Sequence, residues 1–331
     1  MVLRCSERKR NAMTRVGLMF AGQGAQAVGM GQDLWEQSPA ARALFERADA
    51  VLGRSISGLC FAGPAAALTA SVNCQPAIFT MSMACLAALR ECTALEPIVC
   101  GGLSLGEWAA VTCAGVLDFD DALRLVAERG RLMDEACRAT AGSMAAVIGA
   151  DAALVEGICR QHGVDVANYN CPGQIVISGG GAEVKAAVAA LALAGVSRVV
   201  LLEVAGAYHS RLMNAAAAAF AARLAPVPFR APVCPVAQNV PGALVTAAAA
   251  IRGHLCAQVN GSVRWEACAR AMLAAGADVL IEVGPGKVLA GFMRRIDRAV
   301  PVCSVGSCAE LAAAVQLLRR DAGSAARGAQ A

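Results

Sequence analysis

The feature that most restricts the fold is a strand, turn and helix in immediate succession. Pro97–Cys100 is a short apolar run, Gly101-Gly102-Leu103-Ser104-Leu105-Gly106 follows, and Leu105–Ala114 reads as a helix. A Gly-x-Ser-x-Gly turn between a strand and a helix needs both glycines to avoid backbone clashes. It thrusts the serine out beyond the sheet edge, and such turns belong to sheets whose strands alternate with helices. The N–H of Leu105, at the helix start, is placed to receive negative charge on a reacting oxygen.

The rest of the chain fits an α/β plan. Arg15–Phe20 is a strand-like run leading into Ala21-Gly22-Gln23-Gly24-Ala25-Gln26, and Ser38-Pro39 is a helix N-cap followed by proline at the first helical position. Helices are expected over 75–92 and 120–138, and a strand over 278–283. Between residues 143 and 204 the pattern is strand (143–149), helix (151–162), strand (164–170), strand (174–178), helix (182–194) and strand (197–204). This βαββαβ order is the ferredoxin-like plan. The expected architecture is therefore a hydrolase-like α/β core with a parallel sheet, built from residues 15–140 and 207–321, with a ferredoxin-like subdomain inserted at 141–206. Residues 1–14 read as a disordered leader and 322–331 as a flexible tail.

Several function classes are excluded. Net charge is +4, with no dense Lys/Arg block, so nucleic acid is not an expected partner. Hydrophobic residues make up 57% of the 331 positions, which raises the question of a membrane. The longest uncharged stretch, 55–89, is interrupted by Gly58, Gly63, Pro64, Asn73, Gln75 and Pro76. Its unbroken part, 77–89, is shorter than the about 18–20 residues a spanning helix needs. No apolar export signal follows the basic N-terminus, and a cytoplasmic protein is expected. The fifteen cysteines are scattered without a Cys-x-x-Cys pair, which suggests small core residues in a reducing compartment rather than disulfides or a metal site.

A nucleophilic serine needs a base, and there are three histidines. His162 ends a helix of the insert and His254 reads as a surface residue near Arg252. His209, in Gly206-Ala207-Tyr208-His209-Ser210 where the insert returns to the core, is the best candidate. Arg129 shares a helix face with Leu125, Val126, Leu132 and Met133, so it points inward and must meet an anion. A salt bridge to Glu107 and a two-pronged grip on a substrate carboxylate are equal alternatives on helix phase alone. Gln23, an amide between two glycines, fits a second oxyanion donor better than a phosphate loop.

Together these segments resemble the malonyl-CoA:acyl carrier protein transacylases of fatty acid synthesis and the related polyketide acyltransferase domains. The resemblance rests on Phe20–Gln26, Gly102-Leu103-Ser104-Leu105-Gly106-Glu107, Arg129-Gly130, Asn168–Gln174, Ala207–Met213, Gln258 ahead of Val263-Arg264-Trp265, and Glu282–Leu289. These occur in the family's order across about residues 15–300. It implies ping-pong transfer of malonyl from malonyl-CoA, through Ser104, to the phosphopantetheine thiol of acyl carrier protein. His209 would be base and acid, with its ring held by the Gln258 carbonyl. Leu105 and Gln23 would form the oxyanion hole and Arg129 would hold the malonyl carboxylate. No bound cofactor or metal is implied. Leu103 stands where the family usually has histidine, and Tyr208 where phenylalanine or serine is commoner; an aromatic there leans toward malonyl. A trans-acting polyketide acyltransferase and an α/β-hydrolase-type thioesterase remain the alternatives. No oligomeric state follows from the sequence, and a monomer is the simplest expectation.

Overall fold

The computed structural model describes residues 14–328. Nearly all of the expected leader, residues 1–13, lies outside this range. Strands β1 (Val16–Phe20), β2 (Val99–Gly102), β7 (Val236–Gln238), β8 (Ala243–Val245), β9 (Val279–Val283) and β10 (Val302–Val305) form the larger sheet, in the order β10-β9-β1-β2-β7-β8. All neighbours are parallel except β7 and β8, whose antiparallel pairing closes one edge. Every residue of β1, β2, β7 and β9 is buried, as expected of parallel strands covered by helices on both faces.

The second sheet contains β3 (Gly142–Ile148), β4 (Asp165–Cys171), β5 (Gln174–Gly180) and β6 (Arg198–Leu201) in the antiparallel order β4-β5-β3-β6. The helices Ala152–His162 and Gly181–Leu193 fall between its strands, which gives the ferredoxin-like topology. It has an apolar core of its own around Val147, Val155, Ile177, Val184 and Leu191. β4 is tied to the core by paired backbone bonds, Tyr169 N–H to the Val263 carbonyl at 2.9 Å and Val263 N–H to the Ala167 carbonyl at 2.8 Å.

Three elements differ from the sequence expectation. The helix expected from residue 75 starts at Ser71 and runs to Cys92, with Pro76 inside it. Proline cannot donate to the Val72 carbonyl, and Arg54 Nη2 does so instead, at 2.8 Å. By length and composition alone this helix could cross a membrane, but 83% of its most apolar stretch is buried within the protein. It is a core helix that packs against Phe119–Ala139, the helix carrying Arg129. A short helix, Gln32–Gln37, precedes Pro39–Leu52, whose N-cap Ser38 accepts the Ala41 N–H at 3.1 Å. The last helix, Cys308–Gly328, continues through residues 322–328 of the expected tail.

Candidate active site

Ser104 stands at the end of β2, where the chain turns into the helix Gly106–Cys113. The turn is too tight for side chains at either glycine. A Cβ on Gly102 would lie 2.1 Å from the Gly106 carbonyl carbon, and one on Gly106 would lie 2.1 Å from the Phe20 oxygen. Ser104 has φ 51° and His209 has φ 57°; they are the two non-glycine residues with positive φ among the described residues. Such backbone costs roughly 1–3 kcal/mol per residue and persists only where surrounding contacts enforce it. At Ser104 the enforcing residue is Asn239. Its Oδ1 accepts the Ser104 N–H at 2.7 Å, and its Nδ2 donates to the Gly102 carbonyl at 2.8 Å.

Ser104 Oγ lies 2.7 Å from His209 Nε2, and His209 Nδ1 lies 2.8 Å from the Gln258 carbonyl. A carbonyl can only accept, so Nδ1 carries the proton and Nε2 is the lone-pair nitrogen facing the serine hydroxyl. Burial, followed by the charge of Arg129, lowers the His209 pKa to about 4, while the Gln258 carbonyl opposes the shift. The ring is therefore neutral and able to take a proton at neutral pH. His162, at the end of its helix, and His254 have no contact with Ser104. His254 is half-buried rather than a surface residue, and its Nδ1 lacks a partner.

Arg129 is 1% exposed and sits beside the serine. Nη2 donates to Ser104 Oγ at 3.1 Å and to Gln258 Oε1 at 3.0 Å; Nη1 donates to Gln75 Oε1 at 2.6 Å; Nε has no partner. Gly130 makes this approach possible, because a Cβ there would lie 2.5 Å from the Ser71 oxygen. No salt bridge reaches Arg129 or Glu107 among the described residues. The Glu107 carboxylate instead accepts the Asn239 N–H at 2.9 Å and a short hydrogen bond from Gln258 Nε2. Burial lowers the guanidinium pKa to about 10, so it remains charged at neutral pH with neutral acceptors alone around it.

Gln23 follows β1, and its loop runs against the elbow, since a Cβ on Gly22 would lie 2.6 Å from the Leu103 oxygen. Its side-chain amide is engaged, donating to Ser71 Oγ at 3.2 Å, and Ser71 Oγ also lies 2.7 Å from the Tyr208 hydroxyl. Among the described residues no acceptor takes the backbone N–H of Gln23 or of Leu105. Ser104, His209, Arg129, Gln23 and Tyr208 face a cavity of about 410 Å³ between the core and the inserted sheet. Its lining includes Gln23, Leu103, Ser104, Arg129, Asn168 and His209. Leu103 lies on its wall, where it contributes apolar surface. A hydroxyl facing a neutral imidazole, two free amides nearby and an adjacent guanidinium suit acyl transfer from an acid-bearing acyl group.

Sequence reasoning missed Gln75, Asn239 and the buried role of Glu107. Gln75 read as the start of the helix expected over 75–92, and Asn239 belongs to no local motif. Glu107 was visible as the residue after the elbow.

Residues 18–327 match the acyltransferase family described as "Acyl transferase domain". The malonyl CoA-acyl carrier protein transacylase of Bacillus subtilis (strain 168) is 38% identical over 314 residues, 93% of this chain and 99% of its own length. That of Escherichia coli (strain K12) is 39% identical over 309 residues, 92% of this chain and all of its own. Among solved structures, acyl-carrier-protein S-malonyltransferase from Bartonella henselae superposes with a TM-score of 0.87 at 38% identity, covering 92% of this chain and 99% of that one. A chain of the PlMCAT:AntF complex, in which a type II PKS acyl-carrier protein is bound to its malonyl-transacylase, gives 0.88 at 35% identity, covering 92% and 99%. With the fold, the elbow and this coverage in agreement, the chain belongs to the malonyl-CoA:acyl carrier protein transacylase family of acyltransferases.

Proposed function

We propose that this protein moves the malonyl group of malonyl-CoA to the phosphopantetheine thiol of acyl carrier protein, in the cytoplasm, to supply fatty acid synthesis. Ser104 Oγ attacks the thioester carbonyl while His209 Nε2 takes its proton. The backbone N–H groups of Leu105 and Gln23 receive the oxyanion. The carbon–sulfur bond then breaks, and His209 returns the proton to the departing CoA sulfur. The acyl carrier protein thiol reverses these steps on malonyl-Ser104, giving its proton to His209, and free serine is regenerated. The Gln258 carbonyl holds the imidazole in its reactive tautomer without a carboxylate. The thioester itself brings an activated acyl group, so this chemistry calls for no resident cofactor.

The observation that carries this reading is Arg129, a buried guanidinium without a carboxylate partner that donates directly to Ser104 Oγ. Malonyl places a carboxylate two bonds from its reacting carbonyl carbon, which is the geometry such a cation would select. The test is transfer of labelled malonyl from malonyl-CoA to holo acyl carrier protein. Label should appear on the carrier with little free malonate; rapid hydrolysis without transfer would identify a thioesterase instead. A type II polyketide carrier as acceptor is a second reading, favoured by the likeness to the PlMCAT chain, and comparing the two carriers as acceptors distinguishes them.

A further inference from the structure

Arg129 and Glu107 are both fully buried, and neither forms an ion pair. A single side-chain amide lies between them, with Gln258 Oε1 accepting from Arg129 and Gln258 Nε2 donating to Glu107. Gln258 Nε2 also donates to the Ser104 carbonyl at 2.9 Å, so Glu107 fixes the orientation in which the amide oxygen faces Arg129. Where Glu107 is ionised, above about pH 8, its carboxylate is the counter-charge of the guanidinium, relayed through one amide. A substrate carboxylate docking on Arg129 while Glu107 is ionised would leave two negative charges around one buried positive charge, which is an unstable arrangement.

We propose that Glu107 is a positioning residue that, in alkaline solution where it is ionised, balances the charge of Arg129 in the free enzyme and takes up a proton when a substrate carboxylate docks there. The proposal rests on malonyl as the substrate and adds a proton-linked step to its binding. The proton comes from solvent and stays on Glu107 until the acyl group leaves, so it takes no part in the transfer chemistry. Burial already raises the Glu107 pKa to about 8, against the lowering effects of the Asn239 N–H, the Gln258 amide and Arg129. Neutralising Arg129 weakens the last of these and raises it further. The other titratable groups near this cluster do not compete. Burial and Arg129 keep His209 neutral above about pH 4, and burial together with Glu107 holds the Cys268 thiol, on the helix Trp265–Ala274, in its neutral form.

Near pH 6 Glu107 is protonated in both states, so binding takes up nothing. Near pH 9 it is ionised in the empty site, so malonyl binding should take up as much as about one proton per site. Acetyl-CoA carries the same nucleotide but no acyl carboxylate, and it should take up none at Glu107. The experiment is titration calorimetry of Ser104→Ala, which blocks acylation, with malonyl-CoA and acetyl-CoA in buffers of different ionisation enthalpy from pH 6 to 9. The expected result is a malonyl-specific uptake that grows with pH and disappears in Ser104→Ala/Glu107→Gln. Equal uptake for the two ligands at pH 9, or uptake retained in Glu107→Gln, overturns the proposal. If Glu107→Gln does not fold, the affinity ratio of malonyl-CoA to acetyl-CoA in Ser104→Ala alone decides. The ratio should be flat below pH 7 and fall by up to about tenfold per pH unit above 8; a flat ratio throughout refutes the linkage. No binding of malonyl-CoA at any pH would instead overturn the substrate assignment.

Discussion

Replacing Arg129 with alanine should convert a malonyl-selective transferase into one that barely distinguishes malonyl from acetyl. Loss of a buried charged partner commonly costs about 2–5 kcal/mol. The structure narrows this range. In the empty site Arg129 already donates to Gln75, Gln258 and Ser104, so acetyl, which lacks the carboxylate, leaves the cation with neutral acceptors rather than with none. The low end applies, about 2–3 kcal/mol, or roughly 30- to 150-fold in kcat/KM for malonyl over acetyl. Arg129→Ala should bring that ratio near unity by depressing malonyl transfer while acetyl transfer holds or rises. Arg129→Lys should restore only part of it, because a point charge cannot reproduce a two-pronged contact. The assay is single-turnover acylation with both CoA esters, alongside thermal melts. An equal loss for both substrates together with a sharp fall in Tm would show that Arg129 is structural and would refute the selectivity argument.

Three further outcomes follow from the site geometry. His209→Ala should lose about 100-fold or more in transfer, while His162→Ala and His254→Ala remain near wild type in steady-state assays; a large defect at His254 would overturn the assignment of the base. The acidic limb of kcat/KM should lie below about pH 5, because the His209 pKa is lowered to about 4 and the ring loses its lone pair only on protonation. A limb near 6.5 would place the titrating imidazole in water, against the burial described. Leu103→His should leave malonyl transfer within about tenfold, roughly 1.4 kcal/mol, since Ser104, His209 and the Gln258 carbonyl are already in register without a histidine at 103. A hundredfold gain would mean that the natural residue weakens the enzyme.

Much of the site could be read from the sequence because its main signals are local. The Gly-x-Ser-x-Gly pattern is contiguous and Gly102 is required by atoms only four residues on, although Gly106 is required by Phe20 on the neighbouring strand; the phase of Arg129 follows from its own helix. The ferredoxin-like insert was legible because its strands and helices follow one another in close succession. The parts that escaped depend on distant partners. The helix expected from residue 75 begins a turn earlier, at Ser71, because Arg54 occupies the Val72 carbonyl that Pro76 leaves free. Asn239 reaches Ser104 from 135 residues away, and the Gln258 side chain reaches the Ser104 carbonyl across 154. Neither contact leaves a periodic or spaced trace in the chain. Arg129 is an intermediate case. Helix phase points it inward but does not choose between a Glu107 salt bridge and substrate binding, and only the three-dimensional arrangement, with Gln258 between the two, separates these alternatives.

Whether Ser104 carries the acyl group is read by intact-protein mass spectrometry after exposure to malonyl-CoA without an acceptor. The wild-type chain should gain one malonyl mass, removed by adding holo acyl carrier protein, and Ser104→Ala should gain none. Malonylation that persists in Ser104→Ala, or a wild-type chain that takes up no acyl group, would contradict that role for Ser104.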